Sequence, residues 1–226
     1  MDIATLPPDK IEAAIAKLEA EKTRRRVENQ LGTYKPYPKQ IEFHTAGATH
    51  RERLLMAANQ SGKTTAGGME TAIHATGRYP DDWQGKRFDK PTVGWVAGTT
   101  GETTRDTVQR ILLGRPGQHG TGSIPKDAIV ELVPGRGVAD LLDSIRVAHV
   151  SGGASTIGIK SYQRGRESFQ GETLDFLWFD EEPPERQILV EREKNSSPRN
   201  TDRHCIGLQP PDHFRTRSPR KLPRSL

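Results

Sequence analysis

Residues 53–65 read Arg53-Leu54-Leu55-Met56-Ala57-Ala58-Asn59-Gln60-Ser61-Gly62-Lys63-Thr64-Thr65, and their order decides the fold. A short apolar run such as Leu54 to Ala58 is what a strand buried on both faces of a parallel sheet shows. The loop after it ends in Gly62-Lys63-Thr64, and a helical stretch runs from there to about Thr76-Gly77. Strand, loop and helix in that order form the setting of a phosphate loop. The first N–H groups of a helix are unpaired and, with the helix dipole, favour an anion. Lys63 would neutralise β- and γ-phosphates, the Thr64 hydroxyl would ligate Mg²⁺, and Gly62 lets the backbone approach the phosphates. The full pattern G-x-x-x-x-G-K-[ST] has Ala57 in place of its first glycine. The reading therefore rests on Gly62-Lys63-Thr64 and its context.

Downstream, the alternation repeats. Thr92 to Ala97 reads as a strand and Glu102 to Leu113 as a helix ended by Gly114. Further strands are expected at Ile129 to Val133, Ile145 to Val150, Thr156 to Tyr162 and Leu174 to Phe179. Strands alternating with helices argue for an α/β domain with a mostly parallel sheet. The last of these strands, the most apolar, runs into Asp180-Glu181-Glu182-Pro183-Pro184 and has the form of a Walker B strand. Asp180 would hold Mg²⁺ through water and Glu181 would polarise the attacking water, with Glu182 a helper or bystander. Such chemistry needs both carboxylates at the C-terminal end of a strand beside the phosphate loop, where open α/β sheets bind ligands. A solvated acidic turn after a core strand is the plainer alternative.

Upstream, Asp9 with Glu12 resembles a capping box, and Ile11, Ile15 and Leu18 share one helical face. That helix continues through Arg24-Arg25-Arg26 towards Gly32. Three segments are expected: a helical one at 1–33, an ATPase domain at 34–185, and an Arg/Pro/Ser-rich tail at 186–226 whose composition resembles disorder. Charge divides the same way. Residues 1–185 carry 24 Lys and Arg against 25 Asp and Glu, whereas residues 186–226 carry 10 against 4. A basic balance ordinarily points to nucleic acid, but here it describes only the tail. No stretch approaches the roughly 20 apolar residues of a membrane span, and the N-terminus lacks the form of a signal peptide. The single Cys205 excludes an internal disulfide and a cysteine-cage zinc site. Secreted and membrane classes are thereby excluded.

Together these segments resemble the ATPase half of a large terminase subunit, the DNA-packaging motor of tailed bacteriophages. The resemblance is carried over about residues 10 to 185 by four motifs in family order. They are Tyr37-Pro38-Lys39-Gln40, Ala58 to Thr64, Ser161-Tyr162 followed by Phe169-Gln170-Gly171, and Trp178 to Pro184. It implies a P-loop NTPase of the ASCE/RecA-like kind, with ATP and Mg²⁺ as ligands and action in the host bacterial cytoplasm. It implies ATP contacts from Tyr37 and Gln40 on the adenine side and from Asn59, Gln60, Ser61, Gly62, Lys63, Thr64 and Thr65 around the phosphates. Double-stranded DNA, a portal protein and a small terminase subunit are the implied partners, with a homo-oligomeric ring as the assembly. A helicase-like ATPase and a catalytically silent, nucleotide-binding remnant are the competing readings.

The sequence departs from that family in three ways. Where many terminases carry an arginine inside the phosphate loop, this chain has Asn59. Positive charge on the transition state must then come from elsewhere; Arg105, the catalytic candidate, and Arg110, Arg164 and Arg166 compete for that role. Next, no strand ending in a Thr/Gly-rich loop is legible after Asp180. The expectation is that residues 186–226 lack the central strand of the sheet, as a gene read out of frame from near codon 186 would. Finally, 226 residues leave no room for a C-terminal nuclease domain.

Overall fold

A computed structural model of the chain describes residues 8–58, 60–169 and 172–182 and the strand 204–209. Its centre is a seven-stranded sheet built from β1 (Glu52–Met56), β2 (Val93–Gly98), β3 (Ile129–Pro134), β4 (Leu142–Ala148), β5 (Ala154–Ser161), β6 (Phe176–Phe179) and β7 (His204–Gln209). The strand order is β1-β7-β6-β2-β5-β4-β3. The four pairings from β1 to β5 are parallel, and the two involving β4 are antiparallel. The sheet is thus mostly parallel, as expected, with an antiparallel hairpin appended to one edge. Among the described residues, no helix is long and apolar enough to cross a membrane.

The two faces of the central strands are separated by the period-2 alternation of side chains. Val96, Phe176 and Trp178 pack on one face with Met69 and Ile73 of the helix α3 (Lys63–Thr76). Val108, Leu112 and Leu113 join the same core. They come from α4, a continuous helix over 101–113 whose middle, Arg105–Gln109, is a π-helical turn. Trp95, Ala97, Leu177 and Phe179 point to the opposite face, against Tyr162, Phe169 and Leu174. All four residues of β6 are buried, which explains its unbroken apolar text. The contact between α3 and β6 depends on Gly67. A Cβ there would lie 2.5 Å from Cε2 of Trp178, inside any allowed approach.

The N-terminal segment forms α1 (Pro8–Glu28), followed by a short 3-10 turn and then α2 (Pro38–Ala46). Pro38 occupies the first turn of α2, where a missing N–H costs nothing. Residues 204–209 overturn the expected absence of a central strand. β7 pairs in parallel with β1 on one side and β6 on the other, with Ile206 opposite both Arg53 and Trp178. Six residues are an ordinary strand length. The stretch Cys205-Ile206-Gly207-Leu208 stands out as an apolar cluster in the tail, but composition averaged over 41 residues dilutes one short strand. The out-of-frame reading loses this support, and the sheet does not end at residue 185.

Candidate active site

The parallel strands bring the sequence-distant motifs to one end of the sheet. β1 runs into the phosphate loop, and Gly62 takes a left-handed conformation (φ 80°, ψ 21°) immediately before α3. That geometry is inexpensive only for glycine. Lys63 Nζ donates to the backbone oxygens of Ala57 at 2.5 Å and Ala58 at 2.8 Å. These bonds draw the lysine back along its own loop. Thr64 and Thr65 open the helix, and Gln60 has a positive φ of 60°. Asn59 lies outside the described residues.

Two strands away, Asp180 N donates to Ala97 O at 2.9 Å, extending the β2–β6 ladder to the carboxylate. Burial pushes the Asp180 carboxyl up to about 6. The Thr64 hydroxyl opposes that rise, the neighbouring Glu181 adds to it, and Lys63 and Thr107 oppose it. Lys63, Thr64, Asp180 and Glu181 therefore form one electrostatic unit. The Oδ1 atom of Asp180 is buried with no hydrogen-bond partner, an arrangement that costs free energy unless something else fills the lone pair. Mg²⁺ needs few protein oxygens, because it keeps waters and takes the rest of its shell from substrate phosphates. The Thr64 hydroxyl and the orphaned Asp180 oxygen fit that requirement.

Glu181 is exposed at the mouth of the site, and its backbone oxygen accepts from Tyr162 Oη at 2.7 Å. Burial, reinforced by Asp180, raises the Tyr162 pKa and keeps the phenol protonated as that donor. Thr107 and Tyr162 are contributors that sequence reasoning missed as site residues. Thr107 was legible only as one position in an amphipathic helix, although a π turn in a helix often marks a functional site.

Beside the phosphate loop, a cleft of about 490 Å³ is lined by Tyr34, Tyr37, Gln40, Gln60, Gly62 and Thr65, among others. Tyr37 is 68% exposed. Gln40 is buried, with its Nε2 donating to Gly62 O at 2.9 Å and its Oε1 accepting from Tyr37 N at 2.8 Å. The tyrosine, the glutamine and the loop are thus brought together. Both ends of the Gln40 amide are engaged with protein groups.

The arginines lie differently. Arg105 bonds Asp106 at 2.7 Å and Ala139 O at 3.1 Å. Arg164 donates to Arg136 O at 2.7 Å and stands 3.9 Å from Asp143. The α4 residue that acts on the Asp180 carboxyl is Thr107, whose hydroxyl also donates to Thr103 O at 2.6 Å.

Residues 54–205 match the family model "Terminase large subunit, T4likevirus-type, N-terminal". The chain belongs to this family. The match passes residue 186 and runs into β7, which removes the second support of the out-of-frame reading. The large terminase subunit of Salmonella phage P22 is 39% identical over 196 residues, covering 78% of this chain and 39% of that protein. The chain therefore spans about two-fifths of that relative's length. Among solved structures, a single-substitution variant of the large terminase ATPase domain from Thermus phage P74-26 aligns with a TM-score of 0.51. Its identity is 19%, over 79% of this chain and 67% of that one. The unsubstituted domain gives 0.49 at 19% identity, over 79% and 66%. The likeness at 0.51 supports the α/β fold, a mostly parallel sheet flanked by helices.

Proposed function

We propose that this terminase chain hydrolyses ATP with Mg²⁺ to drive double-stranded DNA into a procapsid. The observation that carries the reading is the meeting of Lys63 and Thr64 with Asp180 and its unpartnered Oδ1. In this reading the loop N–H groups from Asn59 to Thr65 and the Lys63 ammonium hold the β- and γ-phosphates, after Lys63 leaves the carbonyls of Ala57 and Ala58. Bound Mg²⁺ would neutralise charge developing on the phosphates. Thr64 and Asp180 hold it, and Glu181 takes the proton of the attacking water. Tyr37 stacks on the base and Gln40 borders it.

Arg105 is retained as the finger candidate acting on a neighbouring subunit of a ring, with Arg110, Arg164 and Arg166 as rivals. Portal protein and small terminase subunit are the proposed partners, and the host cytoplasm the proposed setting. The test is Mg²⁺-dependent ATP turnover by the chain, by Lys63→Ala and by Glu181→Gln. Lys63→Ala should abolish turnover, and Glu181→Gln should stop it while leaving ATP binding nearly intact. Binding without turnover in the unsubstituted chain would instead make it a silent remnant.

A further inference from the structure

Behind the cleft beside the phosphate loop lies a buried polar cluster that the chemistry above does not use. Its centre is Glu70 on α3, which is fully buried. Arg53 of β1 grips it through two bonds, at 2.6 Å and 3.2 Å, and His44 Nδ1 lies 2.6 Å from Oε2. His74 Nε2 stands 3.3 Å from Oε1. Burial by itself would raise the Glu70 pKa, but the Arg53 charge and the two histidines hold it well below the usual carboxylate range. Burial lowers the pKa of His74.

The contacts continue outward from His44. The Tyr34 hydroxyl is 3.1 Å from His44 Nε2 and donates to Gln40 Oε1 at 3.4 Å. Gln40 in turn holds Tyr37 N and Gly62 O. A chain of contacts therefore runs from the third turn of α3 through His44, Tyr34 and Gln40 back to the residue that opens α3. We infer that Tyr34 and His44 are positioning residues, which hold the Tyr37–Gln40 segment at the height where a nucleotide base meets it. The inference rests on the nucleotide reading above.

Two variants test it. Tyr34→Phe keeps the ring and removes only the hydroxyl. His44→Asn keeps a donor towards Glu70 and removes the ring nitrogen that faces Tyr34. The readout is the Kd of Mg²⁺–ATP beside that of Mg²⁺–tripolyphosphate, which engages the phosphate loop without a base. One hydrogen bond of ordinary strength corresponds to a loss of about three- to tenfold in ATP affinity. Each variant should show that loss with tripolyphosphate affinity unchanged, and the double variant should lose less than the product of the two, because both cut one chain. Equal weakening of both ligands by the two variants would assign the cluster a purely structural role and overturn the inference, as would no change in either ligand. An unsubstituted chain that binds neither ligand would overturn the nucleotide reading itself.

Discussion

Thr64, in the first turn of α3, meets Asp180 at the end of β6. This contact ties the phosphate-loop motif to the acidic motif, and it forms although Asp180 is the less comfortable partner. Burial holds its carboxyl at a pKa of about 6 against an ordinary 3.8.

A pKa raised by folding means that the ionised carboxylate opposes folding. Below about pH 4 the group is neutral in both states and this opposition is absent; it grows as pH rises through about 6. Asp180→Asn should therefore be more stable than the unsubstituted chain at pH 7.5, by up to about 3 kcal/mol. The advantage should shrink towards zero by pH 4, and ATP turnover should be lost throughout. Urea unfolding at the two pH values measures it. An advantage that is the same at both would mean that burial of the charge is not the cause.

Gly67→Ala sets two effects against each other. Alanine improves an exposed helix interior by roughly 1 kcal/mol, but the new Cβ would sit 2.5 Å from the fully buried Trp178 ring. Overpacking costs about 1–3 kcal/mol, and a ring fixed in the middle of the sheet has nowhere to move, so the substitution should destabilise. It should also lower turnover, because it pushes the helix carrying Lys63 and Thr64 away from the strand carrying Asp180. In a Trp178→Phe background the same change should be nearly neutral. A double-mutant cycle with no coupling between the two positions would remove this account.

The strand β7 predicts that the chain depends on residues past 185. Within the sheet, β1 has β7 as its neighbour. Without β7, the strand that carries the phosphate loop is unpaired. Ile206→Pro removes an N–H and adds a ring in a strand paired on both sides, where proline is not tolerated, so it should destabilise the sheet strongly. Unfolding should lose its single sharp transition and ATP affinity should fall. An unchanged melting curve would show that residues 204–209 are dispensable for the sheet.

The sequence by itself determined the elements whose signal is local. The apolar run ending in Ala58, the Gly62-Lys63-Thr64 corner and the buried run Phe176 to Phe179 each carry their reason in adjacent residues. Strand and helix periods, and a glycine where φ must be positive, do not depend on distant chain. That is why the phosphate loop, the acidic pair Asp180-Glu181 and the alternating α/β plan were legible. Tertiary structure alone decided what distant residues do to one another. The six-residue strand at 204–209 was not legible as a strand in polar, proline-rich text, because a strand is recognised by its neighbours as much as by its composition. The π turn that accompanies Thr107 at Asp180, the Tyr162 hydroxyl under Glu181, and the buried cluster of Glu70, Arg53, His44 and His74 have no short-range signature. A buried polar group is stable only when a partner from elsewhere satisfies it, and the fold, not the local sequence, supplies that partner.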